Sequence, residues 1–279
     1  MTTSATGDAR NDRWPRRMAM HIGAALRLLS RPARGRPAAA FNWPRWAVAV
    51  AVALAVLLVI ALLLDAPLAR GARALPRWPV DLFDAVTTFG KSGWFLWPVG
   101  VVLLAIAALP ARLPERSRLV LIALVVRLEF LFAAIAIPGV AVNILKHVIG
   151  RGRPYVGGSL DPFHMNPFSW PAAYASMPSG HAATAGAVAV AVATLWPRSR
   201  VVVLIYVVVI LASRVVLTAH YLSDVLAGAA VGAGGAMLIR HYFATRRLGF
   251  SIGPDGRIVA FPMPSLRRIK AVARGLLSE

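Results

Sequence analysis

The chain contains no cysteine, and acidic residues are scarce: 11 Asp and Glu stand against 31 Lys and Arg in 279 residues. The absence of cysteine excludes disulfides and thiolate metal sites. The scarcity of carboxylates leaves no cluster that looks able to hold Mg²⁺ beside the basic motifs described below. The chain also lacks an internal repeat of the kind that builds solenoids or propellers.

Hydrophobic residues, by contrast, make up 58% of the chain, and the mean hydropathy is +0.66. Several apolar runs approach the roughly 20 residues that cross a bilayer. The sequence therefore predicts an all-α, polytopic membrane protein with six transmembrane helices in a bundle. The six predicted spans cover residues 46–64, 93–109, 119–145, 182–196, 201–217 and 221–241. A kink is expected in the third span at Pro138-Gly139.

The formal charge of +20 would suit a nucleic-acid partner, but the basic residues bracket the apolar runs instead. This distribution indicates membrane topology and anionic headgroups, with no nucleic-acid partner. With six spans, 22 Lys and Arg fall on one face and eight on the other, and Arg127 lies inside the third span. The positive-inside rule therefore predicts a multi-pass protein of the cytoplasmic (inner) membrane with both termini in the cytoplasm.

The domain organisation follows from these spans. Residues 1–45 form a basic cytoplasmic segment, expected to be poorly ordered apart from a surface helix at 18–29. Residues 46–243 form the six-span domain, with an interfacial helix expected at 79–88. Residues 244–279 form a cytoplasmic tail with a hairpin at 250–261 and a basic amphipathic helix at 265–277 on the membrane surface. Arg127 and Glu129 are expected to pair with other spans.

Three polar clusters stand at the ends of apolar segments, where charge is costly and usually functional. They are Lys146 to Pro154, the tetrapeptide Pro178-Ser179-Gly180-His181, and the segment from Ser213-Arg214 to His220 and Asp224. All three fall on the face opposite the termini. Lys and Arg neutralise phosphoryl groups, while two His residues suit a nucleophile and a proton donor. The clusters together predict one phosphate-handling pocket at the extracytoplasmic helix ends.

The second and third clusters, taken alone, also have a purely structural interpretation. Ser179 suits a helix N-cap, and the free N–H groups that follow it would attract an anion, but capped helices are common. His220 and Asp224 are four residues apart and share one helical face. Asp224 could accept a hydrogen bond from the imidazole of His220 and fix its tautomer, yet a lone pair of this kind would more often serve packing.

The ordered set consists of Lys-six residues-Arg-Pro, then Pro-Ser-Gly-His, then Ser-Arg-five residues-His-three residues-Asp. It resembles the type 2 phosphatidic acid phosphatase superfamily, which includes membrane lipid phosphatases and soluble vanadium haloperoxidases. The resemblance covers about residues 46–243 and implies that His220 is the nucleophile, His181 the general acid and Asp224 the orienting group. It further implies that phosphate is bound by Lys146, Arg153, Ser179, Gly180 and Arg214. Arg151 is not a required motif position and is expected to face water or headgroups.

The expected function is hydrolysis of a lipid phosphate or diphosphate through a phosphohistidine, with no metal and no cofactor. Undecaprenyl diphosphate ranks first as substrate, ahead of phosphatidylglycerol phosphate, phosphatidate and a lipid A phosphate. A non-catalytic lipid-binding or lipid-transporting protein is the alternative, but it leaves the two His and Asp unexplained. A vanadate-dependent haloperoxidase is a further alternative, which six spans argue against. The oligomeric state is left open.

Overall fold

The computed structural model describes residues 14–33, 43–109 and 113–277. Their regular elements are ten α-helices and one two-stranded antiparallel hairpin. The elements are α1 (Trp14–Leu29), α2 (Trp43–Leu63), α3 (Asp65–Arg73), α4 (Arg77–Thr87), α5 (Gly93–Ala107), α6 (Glu115–Ile149), α7 (Gly180–Leu195), α8 (Arg200–Val216), α9 (Leu222–Thr245), β1 (Phe250–Ile252), β2 (Ile258–Ala260) and α10 (Leu266–Leu277). The prediction of an all-α membrane fold is confirmed.

Within the described residues, five helical segments are long and apolar enough to cross a membrane. They are Trp46–Leu63, Arg77–Ala107, Glu115–Ile149, Pro197–Val216 and Leu222–Thr245. The remaining predicted span corresponds to α7, which has only 16 residues and so a length of about 24 Å. Half of the α7 residues are buried, and most of these are Ala.

Helices and a hairpin form where several smaller elements were predicted. Residues 18–29 lie within α1, residues 79–88 correspond to α4, and the tail contains the hairpin followed by α10. The expected position of these helices at the membrane surface stays a prediction. Residues 1–13 and 34–42 of the basic N-terminal segment, which was expected to be poorly ordered, lie outside the described residues. Helix α3 was not predicted, and α6 is a single helix through Pro138.

The chain divides into two compact units. The first comprises Met1–Ala38, Trp97–Phe130 and Tyr242–Glu279. In it, Arg127 donates hydrogen bonds to the carbonyl oxygens of Phe261 and Pro262 at 2.7 and 2.9 Å. Phe250 of the hairpin packs edge-on against Phe130. Arg127 was expected to pair with another span, but it binds the backbone of the segment after the hairpin instead.

The second unit comprises Ala39–Leu96 and Leu131–His241, and it contains every residue of the predicted site. Helices α7 and α9 meet in this unit backbone to backbone. A Cβ on Gly228 would collide with the backbone of Ser179, and one on Gly232 would collide with the carbonyl of Ala183. Glycine at both positions permits this close packing, and the contact fixes the start of α7 against α9.

We expect Gly232→Ala to destabilise the protein by about 1–3 kcal/mol, because the added methyl group overpacks the contact with Ala183. Gly234→Ala is the matched control in the same helix, since nothing lies within 4 Å of a Cβ there. That control should be neutral or stabilise by up to about 1 kcal/mol, because alanine favours a helix. Thermal unfolding in detergent measures both, and equal melting temperatures would contradict the packing account.

Candidate active site

The three sequence motifs meet at the ends of four helices in the second unit. Lys146 lies in the last turn of α6, and Arg214 lies in the last turn of α8. His220 occupies the turn between α8 and α9, and Asp224 lies in the first turn of α9. The Nζ atom of Lys146 lies 3.6 Å from where a Cβ of Gly180 would be, so the first motif reaches the start of α7.

Ser179 occupies the N-cap position of α7, as predicted, but its hydroxyl makes no capping hydrogen bond. Its N–H donates to the carbonyl of Asp224 at 3.0 Å, and its own carbonyl accepts from Ala183. The Oγ atom is buried and has no hydrogen-bond partner. The backbone contacts hold Ser179 in place while its hydroxyl remains available to an anion at the positive end of the helix.

Buried polar atoms without partners cluster at this site. Among the described residues, six buried side-chain nitrogen or oxygen atoms lack a hydrogen-bond partner. Three of them are Arg153 Nε, Ser179 Oγ and Arg214 Nε, which belong to residues expected to bind phosphate. Buried polar groups in folded proteins normally find partners. The N–H groups at these two arginine nitrogens and the hydroxyl of Ser179 can donate to the oxygens of a phosphoryl group.

The guanidinium of Arg214 is fixed by α4. Its Nη1 donates to Thr87 Oγ1 at 2.8 Å, and the hydroxyl of Ser213 also donates to Thr87 at 3.1 Å. Thr87 is buried at the last position of α4. Sequence reasoning did not identify Thr87, because a threonine at the end of an amphipathic helix carries no signal of this role.

His220 is held in one tautomer by a backbone carbonyl. Its Nδ1 lies 2.8 Å from the carbonyl oxygen of Ser176, which can only accept, so Nδ1 carries the proton. Burial lowers the pKa of His220 well below its ordinary value, and the positive charges of Arg214, Arg153 and Lys146 lower it further. The ring is therefore neutral at neutral pH, and Nε2 bears the lone pair that a nucleophile needs.

Asp224 does not accept the hydrogen bond from His220 that the spacing suggested. Its Oδ2 lies 3.9 Å from Nδ1 of His220, beyond hydrogen-bond distance. That oxygen instead accepts from Ser176 Oγ at 2.6 Å and from the N–H of Tyr221 at 2.9 Å. The carboxylate thus contacts the same serine whose carbonyl holds the imidazole. Sequence reasoning missed Ser176, because a backbone acceptor has no side-chain signature.

Arg151 is not at the surface, contrary to the expectation from the sequence. It is 2% exposed and forms ion pairs with Asp65 at 2.8 Å and Asp224 at 2.6 Å. The expectation failed because the motif does not require an arginine at this position. The partner Asp65 was also not recognisable, because it directly follows the first apolar run, where a charged residue usually lies at the membrane interface.

His181 lines a cavity of about 480 Å³. The ring packs against Gly90, where a Cβ would lie 2.8 Å from its Cδ2 atom. The polar lining includes Lys91, Lys146 and His181, and apolar side chains continue the wall. Those apolar side chains include Leu96, Ile135, Val140, Val142 and Ile144. A ligand that fits this cavity has a charged end and an apolar body.

No group of three or more His, Asp or Glu side chains able to hold a metal ion occurs among the residues that the structure describes. The positive charge at the site comes from the side chains of Lys146, Arg153 and Arg214. The predicted independence of metal stays a prediction, which activity measurements in a chelator test directly.

Comparison with known proteins gives results of three kinds. The family model of the PAP2 superfamily matches residues 127–248. A lipid A 1-phosphatase of Rhizobium johnstonii is 36% identical over 214 residues, covering 76% of this chain and 86% of that protein. A lipid A 1-phosphatase of Rhizobium etli is 34% identical over 214 residues, covering 76% of this chain and 91% of that protein.

A solved structure is also similar, the crystal structure of the first transmembrane PAP2 type phosphatidylglycerolphosphate phosphatase from Bacillus subtilis. The TM-score is 0.44 at 17% identity, covering 69% of this chain and 94% of that chain.

The extent and identity of these matches show that the chain belongs to the PAP2 superfamily. The family predicted from the three motifs is thus confirmed. The chain is a multi-pass membrane phosphatase that hydrolyses a lipid phosphate.

Proposed function

We propose that the protein removes the 1-phosphate group of lipid A. Two relatives that carry the name lipid A 1-phosphatase align to this chain over most of their own length. A lipid A phosphate was one of the four substrates considered from the sequence. The relatives raise it above undecaprenyl diphosphate, which stays an untested prediction.

The observation that carries the phosphatase chemistry is the environment of His220. A neutral imidazole with a free Nε2 lies near three cations, and two of these have a buried nitrogen without a partner. In phosphoryl transfer the protein contributes mainly positioning and charge stabilisation. The cations bind the phosphoryl oxygens, while the fixed ring directs its lone pair at phosphorus.

The proposed reaction has two steps. Nε2 of His220 forms a bond to phosphorus, the bond from phosphorus to the leaving oxygen breaks, and that oxygen takes its electron pair and a proton from the protonated ring of His181. Burial and the nearby cations lower the pKa of His181 to about 4, so the bound phosphoryl anion has to raise it for this step. The oxygen of water then bonds to the phosphorus of the phosphohistidine while water gives a proton back to His181. The bond from phosphorus to Nε2 breaks, its electron pair returns to His220, and phosphate is released. Asp224 orients His220 through Ser176, since Ser176 contacts both residues.

The cavity supports a lipid substrate. Its polar end contains Lys146 and His181, and its apolar wall runs along α6 past Gly139. A phosphorylated headgroup at the polar end would leave hydrocarbon against the apolar wall. Burial of hydrocarbon there contributes affinity at about 25 cal/mol per Å² of apolar surface removed from water.

A phosphate-release panel on purified protein in detergent tests the proposed substrate. The panel compares lipid A, undecaprenyl diphosphate, phosphatidylglycerol phosphate and phosphatidate, with His220→Ala protein as the blank. We expect the highest kcat/KM on lipid A, with mass spectrometry showing a product that lacks the 1-phosphate. A higher value on another lipid would replace lipid A as the substrate. Peroxidase activity with vanadate and no phosphate release would revive the haloperoxidase alternative.

We also propose that hydrolysis occurs on the extracytoplasmic face of the inner membrane. The proposal rests on the 22-to-8 division of basic residues, because all three motifs fall on the poorer face.

Two single-cysteine variants test the sidedness. Ser159, in the segment after the first motif, and Ser265, in the tail, are both exposed. We expect cysteine at 159 to react with a membrane-impermeant thiol reagent in intact spheroplasts, and cysteine at 265 to react only after lysis. The natural chain has no cysteine, so it supplies the unlabelled control. Labelling in the reverse order would place the pocket in the cytoplasm.

A further inference from the structure

Arg151 is the centre of a buried ionic network behind the site. Its Nη2 donates to Asp65 Oδ2, and its Nη1 donates to Asp224 Oδ1 and to Ser223 Oγ at 2.7 Å. Its Nε donates to the carbonyl of Pro162 at 2.8 Å. The guanidinium therefore lies between two carboxylates, both of which are 0% exposed.

Every contact recorded for the two carboxylates comes from a donor. Asp65 accepts from the N–H of Ser223 at 3.0 Å, from the hydroxyl of Ser223 and from Arg151. Asp224 accepts from Arg151, Ser176 and the N–H of Tyr221. Donors of this kind stabilise the ionised form of a carboxylate. Two ionised carboxylates around one guanidinium leave a surplus of one negative charge.

That surplus lies on the side of His220 opposite the incoming phosphoryl group. Asp224 Oδ2 is 3.9 Å from Nδ1 of His220, and Ser176 bridges the two residues. When Nε2 bonds to phosphorus, the bond to the leaving oxygen breaks and that oxygen takes a proton from His181. Because Nδ1 keeps its own proton, the imidazole ring becomes positively charged.

The phosphate-binding cations oppose a positive charge on this ring, whereas the surplus behind it offsets their effect. We propose that Asp65 is a positioning residue: it holds Arg151 against Asp224 and supplies the negative charge that stabilises His220 as the phosphohistidine forms. This inference rests on the proposed phosphohistidine chemistry. It assigns a role to α3, which the three sequence motifs do not include.

Docking of α3 does not depend on Asp65 alone. The hydroxyl of Tyr155 donates to the carbonyl of Ala69 at 3.2 Å, and the guanidinium of Arg73 lies 4.1 Å from the centre of the Tyr155 ring. Both contacts join α3 to the segment that follows Arg151. An isosteric change at Asp65 therefore removes charge while these contacts keep the helix in place.

Asp65→Asn is the test, with an aryl phosphate as substrate so that lipid specificity plays no part. We expect kcat to fall about 10- to 100-fold, the effect of one unit charge several ångströms from the ring at an effective dielectric constant near 20. KM and inhibition by vanadate should change less than about threefold, because the phosphate-binding cations are unaltered. Asp81→Asn, at an exposed position on α4, is the matched control and should leave kcat unchanged.

A second variant separates charge from structure. The double variant Asp65→Asn/Arg151→Gln removes one negative and one positive charge, so Asp224 again carries one unbalanced negative charge. Its kcat should therefore exceed that of Asp65→Asn alone. The inference is overturned if Asp65→Asn keeps kcat within about twofold of the natural protein. It is also overturned if kcat falls together with melting temperature and vanadate affinity, or if the double variant is less active than the single one. Activity of the natural protein in the same assay reports separately on the proposed function.

Discussion

We expect His220→Ala to lower turnover at least about 10⁴-fold, because His220 is the residue assigned to form the bond to phosphorus. Its Nε2 is the atom that the Ser176 carbonyl leaves free. We expect the variant to fold, since the substitution removes only the contacts of the ring nitrogen with the carbonyl and hydroxyl of Ser176. Phosphate release and thermal unfolding, measured on the same preparation, check both parts of this expectation.

His181→Ala should lower turnover of a lipid phosphate by roughly 10²–10⁴-fold, the range for loss of a general acid. With an aryl phosphate, the rate of the first step should fall far less, because the leaving group departs without a proton. His241→Ala is the control for both histidines, because His241 is exposed and lies outside the site. Near-normal lipid turnover in either site variant would exclude the assigned roles.

The second large effect concerns Arg153 and Arg214, the two arginines of the site that each have a buried nitrogen without a partner. Arg153→Met and Arg214→Met should each lower kcat/KM by roughly 10²–10³-fold, comparable with removal of one preorganised donor from a transition-state site. Lysine at either position should restore little, because a guanidinium presents a rigid fork of donors and an ammonium does not. Vanadate inhibition should weaken in parallel.

Arg246→Met is the matched control for these variants. Arg246 also has a buried Nε without a partner, but it belongs to the first unit, where its guanidinium packs on the Tyr242 ring. Its replacement should leave kcat/KM unchanged. Unchanged vanadate inhibition in Arg153→Met or Arg214→Met would mean that these residues do not bind the phosphoryl group.

Site residues with charged or reactive side chains at fixed spacings were predictable from the sequence. Lys146, Ser179 and Arg214 stand at the ends of apolar segments, where a charge or a cap is conspicuous, and the structure brings their motifs together. The helical class and the tail hairpin were predictable for a similar reason, because hydropathy and the Pro254-Asp255-Gly256 turn act locally.

The supporting contacts were not predictable, because each depends on a long-range pairing. Asp65 meets Arg151 across 86 residues, and Thr87 meets Arg214 across 127. Ser176 acts through its backbone carbonyl, which every residue possesses. The direct bond from Asp224 to His220 was wrong for a related reason: spacing places two residues on one face but does not exclude a third group between them.

Trapping the covalent intermediate tests the central claim most directly. His181→Ala protein is mixed with an aryl phosphate, quenched in alkali, where phosphohistidine survives, and digested for mass spectrometry. The account predicts a rapid release of one aryl alcohol per active site, a stalled second step, and phosphate on the peptide that contains His220. Steady turnover with no phosphorylated protein, or phosphate on another residue, would contradict the account.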